Sequence, residues 1–412
     1  MISLKLLREE PEKTKRLILR KEPNFDINKL IKLDKQVRNL RHQIEQLRQE
    51  KNELALKGAQ NITAHIKEKS IEIGKQIKKY EKELEEIEKT FKQLYLSCPN
   101  IPQADVPVGA KDENKIVLII GEQKNFDFEP QNHVDLNKKL DWFDFQAAAE
   151  MSGSNFVLYK NDAVKLFYAL THLMLKNNVK FGFKPILPPY LVTSEALVNS
   201  GNLPKFEGDF YKTQDDLCLI PTAEVSLTNL HKNQILNSID LPLHYVSWTS
   251  CFRREAGGYG SSDRGLIRIH QFDKVEIYSI CKPEESEKEL EMMLECSQEL
   301  LKELGLHYRV SLLAAQDCSF SASKTYDLEV WLPGQKEYYE ISSCSNCTDF
   351  QARRAKIRYR ETQDSKPELV HTLNSSSLAL PRLIVAIMET YQQSNGTIDF
   401  PIILKDIMDK MW

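Results

Sequence analysis

Apolar residues at Leu30, Leu33, Val37, Leu40, Ile44 and Leu47 step by three and four in strict alternation, and the rhythm continues through Lys51 to Leu54. So narrow a stripe is covered only by a second helix lying along it. The chain supplies one. Ile66, Ser70, Ile73, Ile77, Tyr80, Leu84, Ile87, Phe91 and Leu94 keep the same spacing after a polar break, Gly58-Ala59-Gln60-Asn61-Ile62-Thr63. Two seams of matching length predict an antiparallel helical hairpin with limbs of about thirty residues, projecting roughly 45 Å. A coiled-coil dimer would use the same stripes. The break midway favours the hairpin, where both are satisfied within one chain.

Charge separates this arm from the rest. The net charge is −3, yet Asp26 to Leu96 carries 16 Lys and Arg against 12 Asp and Glu, which leaves the remainder strongly acidic. In the outer hairpin Arg41, Arg48, Lys51, Lys57 and Lys75 stand among the basic residues. A stiff basic arm can follow a nucleic-acid backbone, positioning a partner by its phosphates without reading bases. A solvated helical face would carry similar charges.

Pro99, Pro102 and Pro107 end the helical pattern, so residues 1–98 are expected as the arm, 99–109 as a linker and 110–412 as a body. Strand-like and helical stretches mix in the body without βαβ alternation or a Gly-rich phosphate loop, which predicts an α+β fold around an antiparallel sheet. The eight cysteines follow no disulfide-framework spacing and no signal peptide precedes them, pointing to a reduced, cytoplasmic protein. Cys344 and Cys347 form a Cys-x-x-Cys with no second pair or neighbouring histidine, and read as buried small residues. The longest apolar run, Ile116 to Ile120, is far too short to span a membrane.

Residues 251 to 278 carry the chemistry. They read as two strands about a Gly-rich charged loop, and alternation puts Arg253 with Glu255 on one face, and Phe272, Lys274, Glu276 and Tyr278 together on the returning strand. An arginine can grip a phosphate through two parallel bonds, a carboxylate can accept from an exocyclic amine, and a phenyl ring offers a purine its face. A solvated hairpin with an ordinary cross-strand ion pair would use the same residue types.

With arm, linker and hairpin together, the chain resembles bacterial-type seryl-tRNA synthetases, class II aminoacyl-tRNA synthetases, along its whole length. Leu187-Pro188-Pro189-Tyr190-Leu191-Val192 is similar to motif one, whose proline belongs to the dimer interface in that family; residues 251–278 are similar to motif two. Pro221-Thr222-Ala223-Glu224 is similar to the serine-binding signature, and Glu340 to Cys347 followed by Asp349 to Arg354 to a family strand and helix start. Motif three is the least faithful: Asn374 to Arg382 keeps Ser376 and Arg382 but has Ser375, Ser377 and Pro381 where the family has glycines. That puts the path of this loop in question, although Pro381 suits the first turn of a helix over 383–391.

The resemblance implies a class II antiparallel core with flanking helices behind a coiled-coil arm, and a homodimer. It implies that ATP and Mg²⁺ activate L-serine as seryl-adenylate and that the seryl group passes to tRNA(Ser), leaving open whether tRNA(Sec) is a second acceptor. By family position Arg253 holds the α-phosphate and Arg382 the terminal phosphate, with Glu255 near the adenine amine and Phe272 beneath the ring. Ile269, His270, Gln271, Ile341, Ser342 and Ser343 complete the ATP site, and Glu340 with Ser343 holds Mg²⁺ through hard oxygens. Thr222, Ala223, Glu224, Arg253, Glu276 and Ser376 form the serine site, and Arg41, Arg48, Lys51, Lys57 and Lys75 the tRNA contacts. His270 reads as a packed ring rather than a general base. An amino acid:carrier protein ligase of related type would share the adenylation, but that group lacks the long arm and uses a catalytic zinc. A non-enzymatic relic would not be expected to retain Arg253, Glu255, Glu276, Glu340 and Arg382.

Overall fold

The computed structural model describes residues 1–60, 63–256 and 265–411. Two compact units result, Ile2–Pro99 and Asn100–Trp412. Asn61 and Ile62 of the polar break, and Gly257 to Arg264 of the motif-two loop, lie outside the described residues.

In the first unit, short helices α1 (Leu4–Glu9) and α2 (Pro11–Lys21) precede the long limbs α3 (Ile27–Gln60) and α4 (Ala64–Leu96). The seam residues Leu33, Val37, Leu40 and Ile44 of α3 are buried, as are Ile73 and Ile77 of α4. Thr63 caps α4 by accepting from the Ile66 N–H. Ion pairs fix the register: Arg41 meets Glu88 at 2.7 Å and Arg48 meets Glu81 at 2.8 Å, seven residues further along one limb and seven back on the other, as antiparallel packing requires. Lys51 stands in the seam over Gly74, with its Nζ 3.4 Å from where a Cβ would lie, so a small residue opposite makes room for the lysine.

At the base of the arm, Asp34 is buried between Arg8, 2.7 Å away, and Arg38, 2.9 Å away. Burial opposes its ionisation, but hydrogen bonds from both arginines outweigh this and hold the carboxyl below its ordinary range.

The second unit is built on an eight-stranded sheet: β1 (Lys115–Ile120), β2 (Lys184–Pro185), β3 (Leu243–Phe252), β4 (Gln271–Cys281), β5 (Tyr308–Leu312), β6 (Lys324–Leu332), β7 (Glu337–Asn346) and β8 (His371–Ala379). Their spatial order is β1-β5-β6-β7-β8-β4-β3-β2, antiparallel throughout except for the edge pair β2/β3. Helices α5 (Asp162–Lys180), α7 (Ser286–Glu303) and α9 (Leu380–Tyr391) pack on one face, while α6 (Glu224–Asn229) and α8 (Phe350–Ala355) are short and sit beside the other. Val275 and Ile277 of β4 join Leu166, Leu170, Met293 and Leu383 in the main core. The opposite face of β4 is therefore left for polar work.

The Pro-rich stretch contains no helix or strand, but from Asn100 it is stitched into the body: the Asn100 amide donates to the carbonyls of Ser321 and Cys347, both at 2.8 Å, and Ser323 donates to Ile101 O. A free tether would leave that amide in water.

Asp34 should make the arm acid-sensitive. A depressed carboxyl contributes stability that is present above its unfolded value and lost as pH falls through the lowered one. Asp34→Asn is expected to cost about 1–2 kcal/mol at pH 7, less than a fully buried pair because both arginines are half exposed, and the cost should shrink toward pH 3. Helical melting followed by circular dichroism across that range checks it; an equal cost at both pH values would remove the carboxylate from the account.

Candidate active site

Two cavities open on the polar face of the sheet, of about 270 and 440 Å³. Phe272, Ile269, Ile341, Pro381 and Arg382 line the smaller; Thr222, Glu224, Ser343, Ser345 and Asn374 line the larger. Arg253, Glu255, Arg268, Lys274, Glu340 and Ser376 line both and so form their common wall.

Pleating explains most of this. On β4, Phe272, Lys274 and Glu276 alternate with the core residues Val275 and Ile277; on β8, Asn374 and Ser376 turn to the cavities while Ser375 and Ser377 are buried behind. Two bulges break the alternation where chemistry needs it. Leu328 and Glu329 are consecutive on β6, but their partners on β7 are Ser342 and Glu340, so Ile341 is an extra residue. Simple alternation would put Glu340 and Ser343 on opposite faces, and the bulge brings both to the cavity. The second bulge lies on β8, where Ser376 pairs with Glu276 but Lys274 pairs with Ala379. Leu378 takes φ 69° within it, so the one left-handed residue of this stretch is the leucine and not any of the positions that lack a glycine. The serines hold the hidden side: Ser377 donates to Asn178 Oδ1 at 2.9 Å, and Ser375 Oγ lies 3.5 Å from the hydroxyls of Ser297 and Ser342. Helix α9 begins at Leu380, three residues before the expected Leu383, with Pro381 in its first turn, and it aims Arg382 at the carbonyl of Glu340, 2.7 Å away.

Several expected positions are corrected. Arg253 and Glu255 do not share a strand face, because β3 ends at Phe252 and Glu255 has φ 50°. Both still reach the cavities, with Glu255 Oε2 2.6 Å from Arg268 and the Arg253 guanidinium 5.1 Å from the Phe272 ring centre. Ser342 faces away from the nucleotide-sized cavity, its hydroxyl bonded to Ser376 O. Ala223 is buried at the N-cap of α6 and contributes backbone only. Gln271 lines a separate cavity with Phe156 and Tyr168. His270 packs against Phe156 and Tyr211, its Nδ1 2.9 Å from Arg253 O and its N–H on Asn155 O, so it holds the arginine segment in place. Arg41 and Arg48 are taken up by glutamates across the hairpin, whereas Lys51, Lys57 and Lys75 have no ion pair among the described residues. Cys344 and Cys347 are buried, their thiols on Leu290 O and Asn374 Oδ1.

Glu224, which lines the larger cavity, and Glu276, buried behind Lys274 and Asn374 of its wall, differ in their partners. Glu276 is fully buried, with Lys274 Nζ 2.6 Å from Oε2 and the Asn374 amide 3.3 Å from Oε1. Glu224 receives a neutral donor, the Gln351 amide, at 2.6 Å. Gln351 has no freedom to turn, since its Oε1 accepts from Tyr278 and Thr372 and its Nε2 also donates to Ser200 O. Burial, reinforced by the Glu276 charge, pushes the Glu224 carboxyl up to about 7. Sequence reasoning passed over Lys274, Arg268, Asn374 and Gln351; for Lys274 the signal was its place between Phe272 and Glu276 on one strand face.

The donors at Glu340 and Ser343 suit a hard cation. Behind them Asp327 pairs with Ser343 in the strand register, and its Oδ1 is buried with no hydrogen-bond partner among the described residues, an acceptor that positive charge would satisfy.

Comparison with known proteins agrees with this geometry. Residues 1–102 match the family model for the seryl-tRNA synthetase N-terminal domain, and residues 205–391 that for the tRNA synthetase class II core domain (G, H, P, S and T). The serine–tRNA ligase of Chlamydia felis is 43% identical, with 98% of this chain and 97% of that one aligned; that of Thermodesulfovibrio yellowstonii is 43% identical with 99% of each covered. The chain belongs to the seryl-tRNA synthetase family. The seryl-tRNA synthetase of Pyrococcus horikoshii, solved with ATP, superposes with TM-score 0.93 at 37% identity over 99% of this chain and 98% of that one. The cytoplasmic serine–tRNA ligase of Naegleria fowleri, solved with AMP, gives 0.87 at 28%, covering 99% and 97%. This is a class II aminoacyl-tRNA synthetase, a ligase, and the carrier-protein alternative is not favoured.

Glu224 gives the site a pH signature. Between about pH 4.5 and 7 the unfolded chain has released a proton that the folded protein still holds at Glu224, so this group makes stability fall as pH rises through that window. Glu224→Gln should abolish that slope and raise stability at pH 8 by on the order of 1–3 kcal/mol. Thermal melts of both proteins from pH 5 to 8 test this; parallel curves would show that Glu224 titrates normally.

Proposed function

We propose that the body joins L-serine to ATP as seryl-adenylate and that the arm presents tRNA(Ser) to receive the seryl group. The observation that carries this is the common wall: a cavity with an aromatic platform and Arg382 meets a cavity lined by Thr222, Glu224 and Asn374 across Arg253, Lys274 and Ser376. Phe272 takes the adenine face, with Glu255 at its amine. Arg253 neutralises the α-phosphate and Arg382 the terminal phosphate, and catalysis is positioning with charge neutralisation along an in-line displacement. Glu340 and Ser343 would hold Mg²⁺ with the nucleotide phosphates, where the ion supplies charge neutralisation on the leaving pyrophosphate.

In the serine cavity Glu224 has no cationic partner among its hydrogen bonds to the described residues and takes the substrate ammonium, while Thr222 and Ser376 line the space for the side chain with Glu276 buried behind them. A site built to bond the hydroxyl leaves its own polar groups unpaired with alanine, which supports discrimination of roughly ten-thousand-fold. A terminal ribose hydroxyl of tRNA then attacks the adenylate carbonyl. The protein works in the cytoplasm as a homodimer formed through the body, around Pro189, where Leu187 is 76% exposed, and along the β1 edge, where Ile116, Val117 and Ile119 are over half exposed. Among the described residues no helix is long and apolar enough to cross a membrane.

Pyrophosphate exchange across the amino acids should respond to serine above all others, and Arg253→Ala should lower it at least about a hundredfold, the size of one lost oxyanion donor. Near wild-type exchange by that variant would exclude Arg253 from the mechanism.

The arm generates a separate expectation. Replacing Lys51, Lys57 and Lys75 with alanine should spare exchange but raise KM for tRNA and flatten the salt dependence of binding by about one unit of slope per lost phosphate contact. The paired Arg41 and Arg48 should have smaller effects on that slope. A shortened arm lacking 41–79 should still sediment as a dimer; a monomer, or full-rate charging at low tRNA, would reassign the arm.

A further inference from the structure

Strand β4 works as a ruler. Residues two apart on a strand share a face and lie about 7 Å from one another, so Lys274 stands midway between the Phe272 platform and Glu276, which is buried behind Asn374 of the amino-acid cavity. The reacting atoms, a serine carboxylate oxygen and the α-phosphorus, must meet between those two ends. Three cations line the wall common to both cavities. Arg268 is held by Glu255 at 2.6 Å, and Arg253 is tied to Pro221 O at 3.3 Å beside the Phe272 ring. Lys274 is anchored on Glu276 at 2.6 Å, and its side chain keeps 8% exposure, on the wall that both cavities share.

We propose that Lys274 is a catalytic residue of the adenylation step, its ammonium touching both the serine carboxylate and a non-bridging α-phosphate oxygen as these two anions close on one another. This rests on the reading of the site as one that activates serine with ATP. An ammonium has three rotatable donors, so it keeps one on Glu276 and turns the others to the substrates, which a planar guanidinium could not do from the same anchor. In the step itself a carboxylate oxygen forms the bond to the α-phosphorus. The bond from that phosphorus to the oxygen bridging the β-phosphate breaks, and its electron pair leaves on pyrophosphate. No proton moves, so Lys274 remains an ammonium throughout and acts by holding together two groups that otherwise repel. Glu276 fixes the lysine at the junction.

A counterion for Glu276 alone would make different demands on the ligand. Calorimetric binding of serine and of serine amide, which lacks the carboxylate charge, to the wild type and to Lys274→Met separates the two, with serine-dependent exchange run on the same preparations. The expected result is a tenfold or greater loss of affinity for serine, a change of less than threefold for the amide, and kcat at saturation at least tenfold lower. Equal losses for both ligands, an intact preference for the carboxylate, or an unchanged kcat would overturn the proposal. If Lys274→Met does not fold, because Glu276 is then buried without a cation, the same serine-to-amide ratio compared between Glu276→Gln and Lys274→Met/Glu276→Gln decides in the same way. Wild-type protein with neither serine binding nor serine-dependent exchange would instead overturn the proposed function.

Discussion

The site depends on the pleat of a sheet and on two places where the pleat is interrupted. Strict alternation supplies one clean polar face along β4 and a core on the other side, so the same strand anchors the hydrophobic interior and carries Phe272, Lys274 and Glu276. Alternation alone, however, would turn Glu340 away from Ser343 and would not bring Ala379 opposite Lys274. One extra residue on β7 and one on β8 correct both, and they do so on neighbouring strands that flank the same cavities. Bulges cost ladder hydrogen bonds, which is why they are placed where a side chain has to be re-aimed.

This also explains what could be read in the sequence. The arm was legible because a seam of Leu, Ile and Val at heptad spacing has to be covered by a second helix, and its limbs fall at Ile27–Gln60 and Ala64–Leu96, the first running into the polar break. The face shared by Phe272, Lys274 and Glu276 was legible from period two. Glu255 was not, since nothing local announces that β3 stops at Phe252 and that a glutamate takes a left-handed φ three residues later. Ser342 was misplaced for the complementary reason: a contiguous family segment carries backbone and side-chain roles alike, and only the bulge decides which hydroxyls face the cavity. Pairing of Arg41 with Glu88 and of Arg48 with Glu81 joins residues 47 and 33 positions apart, which a count of local charge does not see.

Glu224 and Glu276 show how one kind of side chain is given two behaviours. Lys274 compensates the charge of Glu276 before any ligand arrives. Among the described residues Glu224 accepts from an amide, and that amide is locked because Tyr278 and Thr372 hold the oxygen end of Gln351. A neutral donor orients a carboxylate without satisfying its charge. The hydrogen bonding of Glu224 is thus set by a residue, Gln351, that belongs to a different helix.

The replaced glycines of motif three carry the same logic to the back of the sheet. A glycine is needed where φ is positive or where another group approaches too closely for a Cβ. Here the positive φ falls on Leu378, and Ser375 and Ser377 lie in extended backbone on the hidden face of β8. Their hydroxyls are buried, so each requires a partner, and each has one: Ser377 on the Asn178 side chain that also receives the Cys296 thiol, Ser375 between Ser297 and Ser342. The loss of glycine is thus matched by polar groups on α5, α7 and β7, outside the motif itself. A chain that changed only the motif would bury hydroxyls with no acceptor. The compensation lies on the side of β8 facing away from the cavities, so Asn374 and Ser376 keep their places on the other.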